Sequence, residues 1–297
     1  MPKVSVIIPS YNSERTIVRT VSSCLNQTYS DLEVIVIDDG STDSTGEILK
    51  QIKDERLKYF YFENSGRSEA RNKGIHRAKG DYIQFLDSDD TLHSEKIEKG
   101  LSILEHDNTF DAVQCGTGYI KDNQLVNEFK AIPRDNVNNV LLRENIFPIH
   151  SVLFRKECAS SFPKGLSYCE DWYFWIKTLW NKKIFFQEEY IGANVYIHSE
   201  NTMTNYQQML LGELYILLRI KHEINRTSLA RDFKIIKQYI YYSIVYNVGM
   251  DILEDYIKSD FTLLLYLRKI NNLSFIRNTL LRIINMKQKL KENKSLY

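Results

Sequence analysis

The sequence predicts an α/β fold, a mostly parallel central sheet flanked by helices, followed by a helical C-terminal region. Two observations carry this. Short β-branched or aromatic runs alternate with segments whose apolar residues recur at helical spacing, and such alternation calls for crossover connections between parallel strands. Three of the runs also end in polar clusters, at residues 9–12, 38–43 and 87–90. In open sheets of this kind ligands lie beyond the carboxyl ends of the strands, so clusters far apart in sequence are expected to meet in one crevice.

The elements follow in order. Residues 4–8 (Val-Ser-Val-Ile-Ile) read as a buried strand that Pro9-Ser-Tyr-Asn12 breaks. Ser13 is a good N-cap for a helix carrying Ile17, Val18, Val21, Cys24 and Leu25. Residues 34–37 form a second strand, and a helix is expected from Ser44 through Ile52. Residues 57–62 form a third strand. The helix after Asn64-Ser-Gly-Arg67 carries Ala70, Ile75 and Ala78, with Gly80 as its stop. Residues 81–86 form the next strand, and 94–106 a helix with Ile97, Leu101 and Leu104 inward. Strands are expected at 111–115, 124–129 and 150–155. An aromatic helix follows Glu170 and Asp171, with Trp172, Trp175, Ile176 and Leu179 in the core. Residues 184–186 and 194–198 read as closing strands. Beyond residue 205 the pattern is helical, at 209–224, 233–248 and 261–290. The expected division is therefore an α/β domain over 1–204 and a helical region over 205–297.

The bulk numbers bound the function. With 43% hydrophobic and 26% charged residues the chain is an ordinary globular protein. The net charge of +1 hides an asymmetry: from residue 261 onward eight basic residues face one acid, Glu292, so this tail carries +7 and the rest −6. A basic tail with an apolar stripe suits an anionic membrane surface, or packs on its own domain or a partner. Nucleic acid is not an expected partner. The four cysteines are dispersed and form no C-x-x-C, as expected of thiols in a reducing compartment. The N-terminal residues read as strand rather than signal peptide, and no apolar run is long enough to span a bilayer. The expected location is cytoplasmic, peripheral on the inner face of the cell membrane.

The chemistry concentrates in residues 87–90. Asp87, Asp89 and Asp90 place three like charges at a strand end, with only Ser88 between. Such a cluster needs compensation, and Mg²⁺ or Mn²⁺, which prefer oxygen ligands, supplies it while holding a substrate diphosphate. An acidic turn capping the next helix is the alternative. No G-x-G-x-x-G follows the first strand and no G-x-x-x-x-G-K-[ST] occurs, so no glycine loop cradles phosphates. Glu170 and Asp171 suit either a site or a helix start, where the dipole favours acids.

These residues carry a resemblance. Val4-Ser-Val-Ile-Ile-Pro-Ser-Tyr-Asn12, Gln27-Thr-Tyr29 before Val34-Ile-Val-Ile-Asp-Asp-Gly-Ser-Thr-Asp43, Asn64-Ser-Gly-Arg-Ser-Glu-Ala-Arg-Asn72, and Gly80-Asp-Tyr-Ile-Gln-Phe-Leu-Asp-Ser-Asp-Asp90 stand in one order and spacing. Over residues 3 to about 200 the chain resembles family 2 of the inverting glycosyltransferases, with the GT-A fold. The resemblance implies a base pocket walled by Pro9 and Tyr11 beside Asn12. Asp39 would accept the uracil N–H, and Asp38 would be structural. Arg71 would brace the nucleotide site or the acidic cluster. Asp87 and Asp89 would be the D-x-D around Ser88, Asp87 near ribose or metal and Asp89 on the metal. Glu170 and Asp171 would be the E-D motif, with Asp171 as general base. The implied reaction moves a sugar from a UDP-sugar donor to a saccharide hydroxyl, on an acceptor that family habit makes lipid-linked, for a surface polysaccharide. Two departures matter. There is no Q-x-x-R-W, so one sugar per encounter is expected. Tyr196 is followed by Ile197 where family members often carry arginine, and His198 is the nearby candidate for phosphate or metal. A non-catalytic sugar-nucleotide-binding partner and a sugar-nucleotide pyrophosphorylase are the competing classes.

Overall fold

A computed structural model of the chain describes residues 2–198 and 205–224, with Asp232, Lys234, Ile235 and Gln238 beyond them. The chain divides into two compact units, Met1–Asn201 and Thr202–Tyr297. The first is built on β1 (Val4–Ser10), α1 (Ile17–Leu25), β2 (Leu32–Asp38), α2 (Thr45–Gln51), β3 (Leu57–Tyr61), α3 (Arg67–Arg77), β4 (Tyr82–Phe85), β5 (Thr91–Leu92) and α4 (Lys96–His106). It continues with β6 (Ala112–Lys121), β7 (Gln124–Phe129), α5 (Val137–Leu141), β8 (Val152–Arg155), α6 (Glu170–Leu179) and β9 (Ile184–Tyr196). In the second unit α7 (Tyr206–Ile224) is described. The expected helix at 261–290 and its basic tail lie outside the described residues, as does nearly all of 233–248.

The sheet runs β3-β2-β1-β4-β8-β6-β9-β5, with β7 paired to β6. The four strands that bear on the polar clusters are parallel, with β1 between β2 and β4. Beyond them β8 is antiparallel to both β4 and β6, while β6 and β9 pair in parallel. Every residue of β1 and β2 is buried, as expected of strands covered on both faces, which read as continuous apolar runs. Alternation still assigns the faces. Val4, Val6 and Ile8 join a core with Ile17 and Val21 of α1 and Ile97, Leu101 and Leu104 of α4. Ile7 points the other way, onto Gly74 of α3. Phe85 of β4 packs with Phe154, Phe162 and Phe174 in an aromatic cluster that includes α6.

Four local expectations change. Pro9 does not break β1, which runs on through Ser10, paired with Asp38 of β2. Ser13 does not cap α1: its carbonyl accepts from Thr16 and Ile17, and its hydroxyl is used in the site described below. Gly80 does not stop α3, which ends at Arg77. It lies where the β1 backbone passes, and a Cβ there would stand 2.7 Å from Ser5 N and Val4 C. The two closing strands are one, the 13-residue β9, which accommodates the change from Cys115 to Thr117 opposite it by register shifts.

Candidate active site

Parallel pairing aligns the carboxyl ends of β1, β2 and β4, and side chains then stitch the following loops together. Asn12, in the left-handed region at φ 49° that Asn tolerates, accepts from Thr42 N at 2.8 Å and donates its own N–H to Ser41 Oγ at 2.9 Å. Ser13 Oγ meets Ser88 Oγ at 2.7 Å, joining the first loop to the third. Thr20 of α1 donates to the carbonyls of Ser88 and Asp90. The three polar clusters therefore share one region, as their strand ends imply.

The two aspartates at the end of β2 differ in their partners. Asp38 accepts from Ser41 N and from the Tyr59 hydroxyl, both at 2.8 Å. Asp39 is buried and accepts from Ser65 N (2.9 Å), Ser65 Oγ (3.0 Å) and Gly66 N (2.7 Å), which fixes the turn into α3. A carboxylate offers about four acceptor positions, so one remains for a ligand N–H. Tyr11, 53% exposed, presents its ring to solvent at the end of β1, two residues beyond buried Pro9.

The three acids after β4 are not left to one counter-charge. Asp87 pairs with Arg71 at 2.7 Å. Burial alone would raise its carboxyl, but the guanidinium holds it below the usual range. Asp89 faces His198, Nε2 to Oδ2 2.9 Å, and its carbonyl accepts from Arg19 at 2.7 Å. Burial and the Asp87 charge push Asp89 up, against the pull of His198. Asp90 is buried and accepts from Tyr196 N at 3.1 Å; burial, then Asp89 and Asp87, push it well above the usual range.

Arg71 reaches further. Its other terminal nitrogen donates to Glu170 Oε1 at 2.9 Å, and Arg67, one turn earlier on α3, meets the same oxygen at 2.9 Å. Glu170 is 3% exposed and Arg71 2%, so the acidic loop after β4 and the start of α6 are joined through a buried guanidinium. Next to Glu170, Asp171 is half-buried. It accepts from Trp172 N at 2.8 Å and Asn145 Nδ2 at 2.9 Å. Burial first, and then the Glu170 charge, raise its carboxyl to about 6.

Among the described residues no three His, Cys, Asp or Glu side chains gather as a complete metal cage. The Asp89–His198 pair offers at most a partial ligand set. That fits Mg²⁺ or Mn²⁺, which commonly take one or two carboxylates and complete their shell with substrate phosphates and water. The upward push on Asp89 marks negative charge that such a cation would relieve.

The sequence profile of glycosyl transferase family 2 matches residues 5–185. The chain belongs to that family. Curated relatives agree. An uncharacterized glycosyltransferase of Haemophilus influenzae is 40% identical over 162 residues, 53% of this chain and 64% of that protein. TuaG of Bacillus subtilis, provisionally named as a teichuronic acid biosynthesis glycosyltransferase, is 39% identical over 163 residues, 52% of this chain and 63% of that protein. The chain thus spans less than two thirds of the length of these relatives. Among solved structures, S. aureus TarS 1-349 in complex with UDP-GlcNAc aligns with TM-score 0.59 at 19% identity, covering 81% of this chain and 80% of that one. A mannosyltransferase of Pyrobaculum calidifontis, PcManGT, in complex with GDP-Man and Mn²⁺, aligns with TM-score 0.57 at 19% identity, covering 94% and 85%. At such identity the likeness carries the fold, the GT-A fold expected from the sequence.

Several residues at this candidate site have no site role in the sequence analysis, where Ser13 is read only as a helix cap and Arg67 only as part of a turn motif. Ser13, Thr20, Arg19, Arg67 and Asn145 all touch it. Arg67 had a visible signal, since it stands four residues before Arg71 on one helix and so shares its face. Arg19, whose guanidinium lies 3.5 Å from the Tyr196 ring centroid, had none, because its partners are 70 and more residues away.

Proposed function

We propose that the protein is a metal-dependent, inverting glycosyltransferase that moves one sugar from a UDP-sugar to a saccharide hydroxyl in surface polysaccharide biosynthesis. The observation that supports this reading is the buried link from Asp87 through Arg71 to Glu170, which joins the acidic loop to the start of the helix that carries Asp171. Glu170, taken up by two guanidiniums, positions; Asp171, raised to about 6 and half-buried, is the group suited to take a proton near neutral pH. The acceptor hydroxyl gives its proton to Asp171 as its oxygen attacks the anomeric carbon. The bond from that carbon to the diphosphate oxygen breaks on the opposite face, and UDP leaves with the electron pair. One displacement inverts the configuration and needs no covalent enzyme intermediate. Asp89, with His198 and the free side of Asp87, would hold Mg²⁺ or Mn²⁺, which when bound supplies Lewis-acid neutralisation of the leaving diphosphate. Asp39 is the candidate for the uracil N–H and Tyr11 for the base face.

Support for the finer reading comes from several sides. The TarS complex holds UDP-GlcNAc, the PcManGT complex holds Mn²⁺, and TuaG bears a polysaccharide name. No described helix is long and apolar enough to cross a membrane. A peripheral contact with the inner membrane face, which would bring a lipid-linked acceptor within reach, rests on the +7 tail.

The test is Asp171→Asn, assayed by UDP release across a panel of UDP-sugars and acceptors. Turnover is expected to fall by about 10²–10⁴-fold, with UDP affinity retained. In the unaltered enzyme turnover is expected to rise through pH of about 6, as the base ionises. Unchanged turnover in Asp171→Asn removes it as the base, whereas UDP-sugar binding without turnover in the unaltered protein favours a non-catalytic nucleotide-sugar binder.

A further inference from the structure

Asp171 is oriented by a residue from a separate segment. Asn145 lies after α5, before the short turn Ile149–Ser151 that leads into β8. Its Nδ2 donates to Asp171 Oδ2 at 2.9 Å, while Asp171 Oδ1 accepts from Trp172 N at 2.8 Å. The direction of the amide is fixed by a second bond: Asn145 Oδ1 accepts from Phe147 N at 3.2 Å, so the NH₂ group must face the carboxylate. Phe147 in turn is fully buried. Its ring packs edge-on against Trp175 of α6, centroids 6.1 Å apart, and stacks with Phe186 of β9 at 6.4 Å. The segment carrying Asn145 is thus anchored to the helix that carries Asp171, one turn further along.

We propose that Asn145 is a positioning residue for the transfer reaction, donating to Asp171 Oδ2 so that a fixed lone pair of the carboxylate faces the acceptor hydroxyl. This rests on Asp171 being the general base. The consequences are chemical as well as geometric. A donor to the ionised carboxylate favours that form, as the Arg71 charge and the Trp172 N–H also do, opposing the burial and the Glu170 charge that push the group up. Without Asn145 the carboxylate keeps one backbone donor, is free to turn about its last torsion, and holds its proton to higher pH.

Two variants separate the donor from the anchor. Asn145→Asp keeps the shape and the oxygen that accepts from Phe147 N, but puts an oxygen where the NH₂ stood. Asn145→Ala removes both bonds. The readout is the carboxyl ¹³C titration of full-length protein labelled at aspartate Cγ, with the Asp171 signal identified by its loss in Asp171→Asn. A hydrogen bond to a charged group predicts a midpoint raised by about one unit in Asn145→Ala, and by more in Asn145→Asp, where a like charge is added. The acid limb of UDP release from a UDP-sugar should move by the same amount, with turnover lowered and donor KM unchanged. An unmoved Asp171 midpoint in a folded Asn145→Asp protein overturns the proposal, whatever the melting temperature does. Full activity of Asp171→Asn instead overturns the base assignment on which it rests, and that outcome is distinct because it does not depend on any change at Asn145.

Discussion

At Arg71 one side chain decides the site's electrostatics. It is buried, and it is held there by carboxylates from two elements, Asp87 and Glu170. Removing one partner of a buried ion pair leaves an uncompensated charge, which costs about 3–5 kcal/mol. Arg71→Met keeps the volume and removes the charge. The lower end, about 3 kcal/mol, is expected, because Arg67 still serves Glu170 and Asp87 is partly solvated. A urea unfolding midpoint unchanged by Arg71→Met would deny the link its structural weight. The residue types of the site were legible in the sequence: the three acids after β4, the acid pair at α6 and the arginine of α3. That Arg71 braces the acidic cluster follows from the resemblance and is seen at Asp87, but its second bond, to Glu170, was not legible. The sequence points to a cation on Asp87 and Asp89, and the structure adds that Asp87 pairs with Arg71, Asp89 with His198, and Asp90 accepts from the Tyr196 N–H. Partners contributed from 16 to 109 residues away leave no local pattern to read.

At the scale of elements the periodicities were sufficient for strands and helices, and their ends were not. β1 and β2 declare themselves because a strand buried on both faces has to be apolar throughout. Gly80 misleads because a glycine after a helix also suits a C-cap, while here the need is space. Its N–H donates to Ser5 Oγ at 2.9 Å, and a Cβ would press on backbone, which cannot swing aside as a side chain can. Gly80→Ala is expected to cost about 1–3 kcal/mol through overpacking, read as a lowered urea midpoint. An unchanged midpoint would restore the simple C-cap reading. Ser13 misleads in the opposite way, since a serine before a helical pattern suits an N-cap, and its hydroxyl instead joins two loops of the site.

For the whole molecule, family membership rests on residues 5–185, and the chain beyond carries a separate compact unit. The charge division, −6 before residue 261 and +7 after it, is a property of the sequence alone. Deleting residues 261–297 is expected to leave UDP binding intact and to weaken sedimentation with anionic phosphatidylglycerol vesicles, most at low salt. Equal sedimentation of both forms would exclude the membrane role of the tail. The proposed function requires that Asp89 and a divalent cation together hold a uridine diphosphate at the aligned strand ends. It is tested most directly by calorimetric titration of UDP, GDP and dTDP, with and without Mn²⁺, into the unaltered protein and Asp89→Ala. The predicted result is tight binding of UDP that requires Mn²⁺ and is lost in Asp89→Ala. Binding without nucleotide preference, or equally tight without the metal, would contradict it.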